Sequence, residues 1–569
     1  MLLATLVGLA SCAETTAGAS DETPGAHFSF EDVAEEAGIG VVNVSGDPRR
    51  WYIPEGNGCG AAWLDYDGDG DQDLFVANGA GMEYVDDGKR LEVVPSGTSK
   101  LYRNDGDWRF TDVTDETGTG LPHWMNAVAT ADVEGDGDTD LYLACFGEDV
   151  LLVNEGGRFV DGTAAAGLGN ADWGAGAVFG DVDNDGDLDL YVANYVQFDL
   201  DAPPQGGERA VYEGVEVGWG PEGEAGEGIN PGEHDRFWRN DGDGRFTEAT
   251  EAAGFTLEKP LCSYACVFTD VDQDGWIDLL VANDVQPCNL FLNDGDGTFT
   301  ERGVESGFAF NGEGEPTSAM GLMVEDVDAD GDVDVLRTNF DFEPNSLHLG
   351  DGAGSFVERT AAHGLADSSV DRLGWGGGFF DADLDGDFDL LVANGHVMPQ
   401  AAEIGMSGWE MQSQLYEAVE DERVGITWRD VTAASGDGLA PKRSSRGVAL
   451  GDPDDDGDLD AVLLDIDHAP RLLRNDTERR GRWIAVALEG NKSNRDGYGA
   501  RVTVHAGDRA WVREMRTSGG LYSAHDPRLH FGLGPVDAVD SVEVRWPSGV
   551  TQTIESPPLD SLLEIRETN

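Results

Sequence analysis

Seven times along its length this chain repeats a nine-residue acidic stretch, and that recurrence restricts the possible folds more than any other feature. The first copy is Asp65-Tyr66-Asp67-Gly68-Asp69-Gly70-Asp71-Gln72-Asp73; the others begin at Asp132, Asp181, Asp270, Asp326, Asp381 and Asp452. Every copy has acids at positions 1, 3, 5 and 9 and glycine at position 6, as Gly70, Gly137, Gly186, Gly275, Gly331, Gly386 and Gly457. Carboxylates at alternate positions of a tightly turning loop converge on one point, and the glycine permits the turn that returns position 9 to it. An all-oxygen cage of this kind suits a hard cation with flexible coordination, Ca²⁺ rather than Mg²⁺ or Zn²⁺. The expected ligands are Asp65, Asp67, Asp69 and Asp73; Asp132, Glu134, Asp136 and Asp140; Asp181, Asp183, Asp185 and Asp189; Asp270, Asp272, Asp274 and Asp278; Asp326, Asp328, Asp330 and Asp334; Asp381, Asp383, Asp385 and Asp389; and Asp452, Asp454, Asp456 and Asp460. The carbonyl of position 7 completes each set, so about seven Ca²⁺ ions are expected.

An EF-hand begins the same way but requires a bidentate Glu at position 12 and flanking helices. Position 12 here is Val76, Leu143, Val192, Val281, Arg337, Val392 or Leu463. The residues after the loops, such as Leu74-Phe75-Val76-Ala77-Asn78 and Leu279-Leu280-Val281-Ala282-Asn283, are short apolar runs that read as buried strands. These are not EF-hands.

Each repeat holds four candidate strands. A small-residue strand such as Asn126–Ala131 precedes the loop, and the apolar strand follows it. A third ends in a turn, as in Leu101-Tyr-Arg-Asn-Asp-Gly106 and Leu290-Phe-Leu-Asn-Asp-Gly295, and a fourth follows, as in Arg109-Phe-Thr-Asp-Val-Thr114. Asn, Asp and Gly tolerate positive φ, so turn formation suffices to explain the Asn-Asp-Gly sequences. Four short antiparallel strands per repeat predict an all-β fold: a seven-bladed β-propeller over residues 27–482, with a small C-terminal β-rich domain over residues 483–569. Phe28-Ser-Phe-Glu-Asp-Val33 matches only the fourth-strand pattern, and so is expected to complete the last blade, whose third strand is Leu472–Asp476. From Trp483 the acidic loops stop and runs such as Trp483–Leu488 and Ser541–Trp546 alternate apolar and polar residues.

This strand order puts the acidic loops on one face and the connections from second to third strand on the other. Long insertions are expected only in the latter, at Gly79–Ser99, Tyr195–Asp235 and Gly395–Ser413. They carry Tyr212, Trp219, Glu222, His234, His396, Trp409 and Met411. Repeat proteins often bind through such a face.

The 111 acidic residues outnumber 36 basic ones, a formal net charge of −75. Like charges then argue against nucleic acid and against direct contact with anionic membranes. A composition 40% hydrophobic with regularly spaced strands argues against disorder. The seven loops hold 35 of the acids, so folding and Ca²⁺ binding are expected to be linked.

Met1 to Ala10 is short and apolar, and Leu9-Ala10-Ser11-Cys12 resembles a bacterial lipobox, in which Cys12 carries the lipid. Residues 1–12 read as a lipoprotein-type signal peptide and residues 13–26 as a flexible tether. The expected location is extracytoplasmic, on the outer membrane or cell surface, with membrane contact only through the N-terminal lipid. Five cysteines remain: Cys59, Cys145, Cys262, Cys266 and Cys288. An exported chain permits disulfides, and Cys262, Cys266 and Cys288 are the cluster that could supply one.

The repeats resemble the FG-GAP/VCBS repeats of integrin-α-like propellers over about residues 28 to 477. The end of the chain resembles an ASPIC/UnbV domain through Arg495-Asp-Gly-Tyr-Gly-Ala-Arg-Val502, Gly519-Gly-Leu-Tyr-Ser523, His530-Phe-Gly-Leu-Gly534 and Val544-Arg-Trp-Pro-Ser-Gly549. Together they are similar to bacterial relatives of cartilage acidic protein. The resemblance implies an extracytoplasmic Ca²⁺-binding propeller, of a kind usually without demonstrated catalysis. In this sequence the sixth repeat has Glu417–Glu422 in place of an Asn-Asp-Gly turn, and Pro453 stands at position 2 of the last loop.

Two functions compete. The first is a binding, adhesion or scaffold protein for a protein or glycan partner. The second is a propeller enzyme, lyase-like or hydrolase-like, with its site on the insertion-bearing face, since function lies in grafted sites and not in the fold. There is no Gly-x-Ser-x-Gly elbow or His-x-x-x-His pair, and the recurrent carboxylates are committed to cation cages. His396, His525 and His530 are the candidate catalytic histidines, and structural roles are expected for them. No catalytic residue is expected.

Overall fold

The computed structural model describes residues 27–50, 52–85, 90–203, 210–212, 215–217, 231–517 and 520–569. Cys12, the signal peptide, the tether, Trp219 and Glu222 lie outside the described residues.

The fold is all-β. Seven four-stranded antiparallel sheets, each carrying one acidic loop, follow one another along the described chain up to Asn475. The second blade is representative: Met125–Ala131, Asp140–Cys145, Val150–Asn154 and Phe159–Asp161, paired in that order. Position 9 of every acidic loop is the first residue of a second strand, as at Asp73, Asp140 and Asp189. Positions 1 to 8 therefore form the hairpin loop between first and second strands. These two inner strands are buried along their whole length in the second, third and fourth blades, which is why they read as continuous small or apolar runs.

The first strand of each blade lies against that of the next, and that of the seventh against that of the first, so the sheets close into the ring of a β-propeller. The seam is made by the chain's beginning: Phe30–Asp32 pairs antiparallel with Arg471–Asn475 as the outer strand of the last blade, as the fourth-strand pattern predicts. Closure sets the inner edge strand of each blade against its neighbours and so leaves only short, protected edges.

The insertion pattern is wider than the sequence suggests. Besides the connections between second and third strands, the chain between the closing strand and the first blade is long, with a short 3-10 turn at Ile53–Gly56. It shares their face, placing Tyr52 against Tyr84 and Phe198 in edge-on ring contacts.

The C-terminal region forms two sheets. Leu529–Gly534, Arg482–Glu489 and Leu562–Arg566 make one; Arg509–Glu514, Arg501–Ala506, Ser541–Arg545 and Thr551–Glu555 make the other. This domain is more than an extension of the last blade. It covers the face of the ring that bears the acidic loops, and the described residues 515–517 and 520–528, which form no strand, enter the channel. There Val128 N–H donates to Tyr522 O, Trp63 N–H to Ala524 O and Leu322 N–H to Gly520 O. Thr517 Oγ1 and His525 Nδ1 accept from the backbone of Phe179 and Leu450. Five blades thus bond to one plug.

All five described cysteines are buried free thiols, so no disulfide forms within the cluster Cys262, Cys266 and Cys288. They serve as small apolar side chains of the inner strands and their connections.

Candidate metal centres

The acidic loops share one hydrogen-bond pattern. Asp65 Oδ1 accepts from the N–H of Asp69 at 3.2 Å, and its Oδ2 from the N–H of Gly70 at 2.9 Å. Asp132, Asp181, Asp270, Asp381 and Asp452 accept from positions 5 and 6 in the same way, and Asp326 from Gly331. Glycine at position 6 is required because its φ lies between 91° at Gly331 and 100° at Gly137.

Position 9 is held from two sides. Asp73 Oδ2 accepts from Tyr66 N–H and its Oδ1 from Asn104 N–H on the third strand. The same pair of contacts recurs at Asp140, Asp189, Asp278, Asp334 and Asp389. Asp460 keeps only the contact to Asn475, since Pro453 at position 2 has no N–H, and its Oδ2 is buried without a partner.

The loops bring their carboxylates together. Ligand atoms lie within 4.8 Å of one another in the triads Asp65, Asp67 and Asp73; Asp181, Asp183 and Asp185; Asp270, Asp272 and Asp278; Asp326, Asp328 and Asp334; and Asp381, Asp383 and Asp385. Among the described residues six carboxylate oxygens are buried with no hydrogen-bond partner, and four of them, Glu134 Oε2, Asp326 Oδ1, Asp328 Oδ1 and Asp460 Oδ2, belong to expected ligands; the other two are on Glu417 and Glu514. Burial first, and neighbouring loop carboxylates after it, push Asp73, Asp334 and Asp452 up to about 8 and Asp140 and Asp278 up to about 9. Orphaned, crowded carboxylate oxygens fit a hard divalent cation, whose charge would hold them ionised. Positions 1, 3, 5 and 9 are the residues that would hold it.

Guanidinium groups already stand beside several loops. Arg239 pairs with Asp183, Arg480 with Asp383 at 3.1 Å, Arg479 with Asp456 at 2.6 Å and Arg528 with Asp455 at 2.5 Å. From the C-terminal domain, Arg501 donates to Gly331 O, Arg509 and Trp511 to Gly386 O, and His530 Nε2 bonds Gly457 O. Asp496 accepts from Asp132 N–H at 2.9 Å. The domain therefore grips the loops by the backbone of their turns, a relation that nothing local in the sequence announces.

A second feature escapes a reading by turn propensity. The Asn of Asn-Asp-Gly does more than turn: Asn293 Nδ2 donates to Ile277 O in its own blade and to Val182 O, at position 2 of the preceding blade's acidic loop. Asn104, Asn154, Asn240 and Asn475 reach Pro453, Tyr66, Val133 and Ala382 likewise. Five blades are thus clasped to the loop before them. Recurrence of Asn at one register was the available signal. The fifth and sixth blades have Gly350 and Ala418 there and lack the clasp.

The candidate histidines are structural in setting. His396, His525 and His530 are held neutral by burial, at about 3, 4 and 4. His396 Nδ1 accepts from Met398 N–H, and Trp409 lies near the Arg50 and Arg446 guanidiniums. Met411 is buried, and His234 contributes its carbonyl to Asn194.

The chain carries FG-GAP-like repeats and a C-terminal ASPIC/UnbV domain, each shown by a family match to part of it. Matches to the FG-GAP-like repeat fall at residues 65–143, 132–192 and 270–336, and to ASPIC and UnbV at residues 490–569. Among individual proteins, the chain is similar to cartilage acidic protein 1 of Mus musculus and of Homo sapiens, 25% identical over 297 residues in each case. The match takes in 51% of this chain and 42% of those relatives, so the chain covers less than half their length. Among solved structures, similarity extends to an Agrocybe aegerita lectin that recognises non-reducing terminal N-acetylglucosamine (TM-score 0.35, 15% identity, 67% of this chain and 88% of that one). It extends also to the rhamnogalacturonan lyase YesW (TM-score 0.34, 13% identity, 76% and 74%). Similarity at this level has no bearing on function.

Proposed function

We propose that this chain is an extracytoplasmic binding protein whose ring is rigidified by Ca²⁺ and which meets a protein or glycan partner through the face opposite the acidic loops. The observation that carries the reading is the seating of the C-terminal domain. It occupies the loop face and fills the channel from that side, leaving the insertion-bearing face as the open end of the ring. Exposed apolar side chains there, Val42, Val285 and Phe342, are each at least half exposed. Among the described residues no helix is long and apolar enough to cross a membrane, and attachment through lipidated Cys12 belongs to the same proposal.

The reading includes the absence of catalysis, supported by the burial of the three candidate histidines and by commitment of the recurrent carboxylates to the loops. Purified protein is applied in Ca²⁺ to glycan and matrix-protein arrays. Phe342→Asp on the insertion face is expected to abolish capture, and Leu562→Asp on the C-terminal domain to leave it intact. The reverse pattern contradicts the proposal, as would protein-dependent release of reducing ends from any captured polysaccharide.

A further inference from the structure

At the centre of the insertion-bearing face lies a cavity of about 140 Å³. Its wall comes from several sectors of the ring: Tyr52 and Asn57 before the first blade, Tyr195 from the third, Tyr264 and Asp284 from the fourth, and Ser318 before the fifth. Tyr264 also meets Tyr522 of the plug, ring centroids 6.5 Å apart, so the plug backs the cavity and makes the channel blind.

The polar groups are few and specific. Asn57 is fully buried; its Oδ1 accepts from Tyr264 Oη at 3.3 Å, while its Nδ2 has no partner. Asp284 is partly accessible, and its Oδ2 accepts from Tyr195 Oη at 2.7 Å. The cavity thus offers an unused amide donor and a carboxylate acceptor among aromatic rings. Arg50 also lines it, its guanidinium paired with Asp467 at 2.5 Å.

Two of the described left-handed non-glycine residues stand in the same wall. Val285, half exposed beside Asp284, has φ 53°, and Arg50 has φ 46°. A β-branched residue in the left-handed region is a genuine outlier, and such strain persists where a site over-determines it.

We propose that this cavity binds one pyranose ring of a neutral sugar, the terminal residue of a glycan partner; this deepens, and rests on, the binding reading of the insertion face. A cavity of about 150 Å³ accommodates benzene, so at about 140 Å³ this one takes in part of a pyranose and leaves the remaining hydroxyls at its mouth. Its C–H face packs on the tyrosines, one hydroxyl accepts from Asn57 Nδ2, and another donates to Asp284. Arg50 is already paired with Asp467 and so offers no free cation to an anionic ligand, while the Asp284 carboxylate can accept from a neutral hydroxyl.

The test is saturation-transfer NMR and calorimetry on the Ca²⁺-loaded full chain with methyl glucopyranosides, galactopyranosides and mannopyranosides, and with tetramethylammonium as a cationic control. Saturable binding of at least one pyranoside is expected, weakened at least tenfold by Asp284→Asn and by Val285→Gly. Val285→Gly is expected to leave the melting temperature unchanged or raised, because glycine suits the left-handed backbone, so its loss of binding is not loss of fold. Pyranoside binding indifferent to both variants, or binding of tetramethylammonium alone, overturns the inference. Capture of intact glycans or proteins on the arrays without any pyranoside binding overturns it while leaving the binding reading in place; silence in both assays removes both.

Discussion

Replacing Asn293 by Ala isolates the inter-blade clasp. The side chain gives hydrogen bonds to Val182 O at 2.8 Å and Ile277 O at 3.1 Å, and accepts one from Gly295 N–H at 3.0 Å. Asn293 is 6% exposed, so the groups released have little access to water. At about 0.5–1.5 kcal/mol net for each bond, the loss is about 2–4 kcal/mol. With an unfolding entropy of about 2.1 cal/mol/K per residue, a ring that melts as one unit would lose only about 2–4 °C. Calorimetry in saturating Ca²⁺ resolves such a shift. The fifth blade supplies the control, since a Cβ at Gly350 would stand 2.2 Å from Val333 O; Gly350→Asn is therefore expected to destabilise and not to restore a clasp. An Asn293→Ala shift below about 0.5 °C would refute the clasp as a stabilising contact.

Gly457→Ala and Gly70→Ala both place a Cβ on a left-handed glycine, but only the former meets another domain, 1.9 Å from Trp483 Cε2; at Gly70 nothing lies within 4 Å. Gly70→Ala should cost about 1–2 kcal/mol of backbone strain, and Gly457→Ala clearly more, with faster proteolysis of the C-terminal domain as the readout. Arg528→Ala leaves Asp526 buried without its bidentate partner and frees Asp452 O, for an expected loss of about 3–5 kcal/mol in chemical denaturation. In a Cys12→Ser variant, a thiol reagent should modify none of the five buried cysteines in the native Ca²⁺-loaded state and all five after unfolding; fewer than five would reveal a disulfide.

The acidic loops, the four-strand repeat and the closing strand at Phe30 were legible because each is local: a period, a turn glycine, an alternation. What was not legible is long-range. Asn293 looks like any turn residue until the ring sets it against Val182 of another blade. The segment around Tyr522 carries no periodic signal, and its role as a plug exists only once five blades surround it. Buried Arg446 is similar. Its guanidinium bonds the carbonyls of Gly56, Ser445 and His396 and lies 4.1 Å from the Trp375 ring centre, and neither contact has a sequence motif. Proximity of cysteines in sequence misled for the opposite reason: Cys262, Cys266 and Cys288 each fill an apolar position of the interior.

The central claim is that cations complete the acidic loops and thereby hold the ring. Metal analysis of tether-deleted protein, run beside melting with and without excess chelator, tests it most directly. The account predicts about seven Ca²⁺ per chain and a large loss of stability on their removal, because the desolvated carboxylates would then have to take up protons or repel one another. Stoichiometry far below that, or an unchanged melting temperature in chelator, would contradict it.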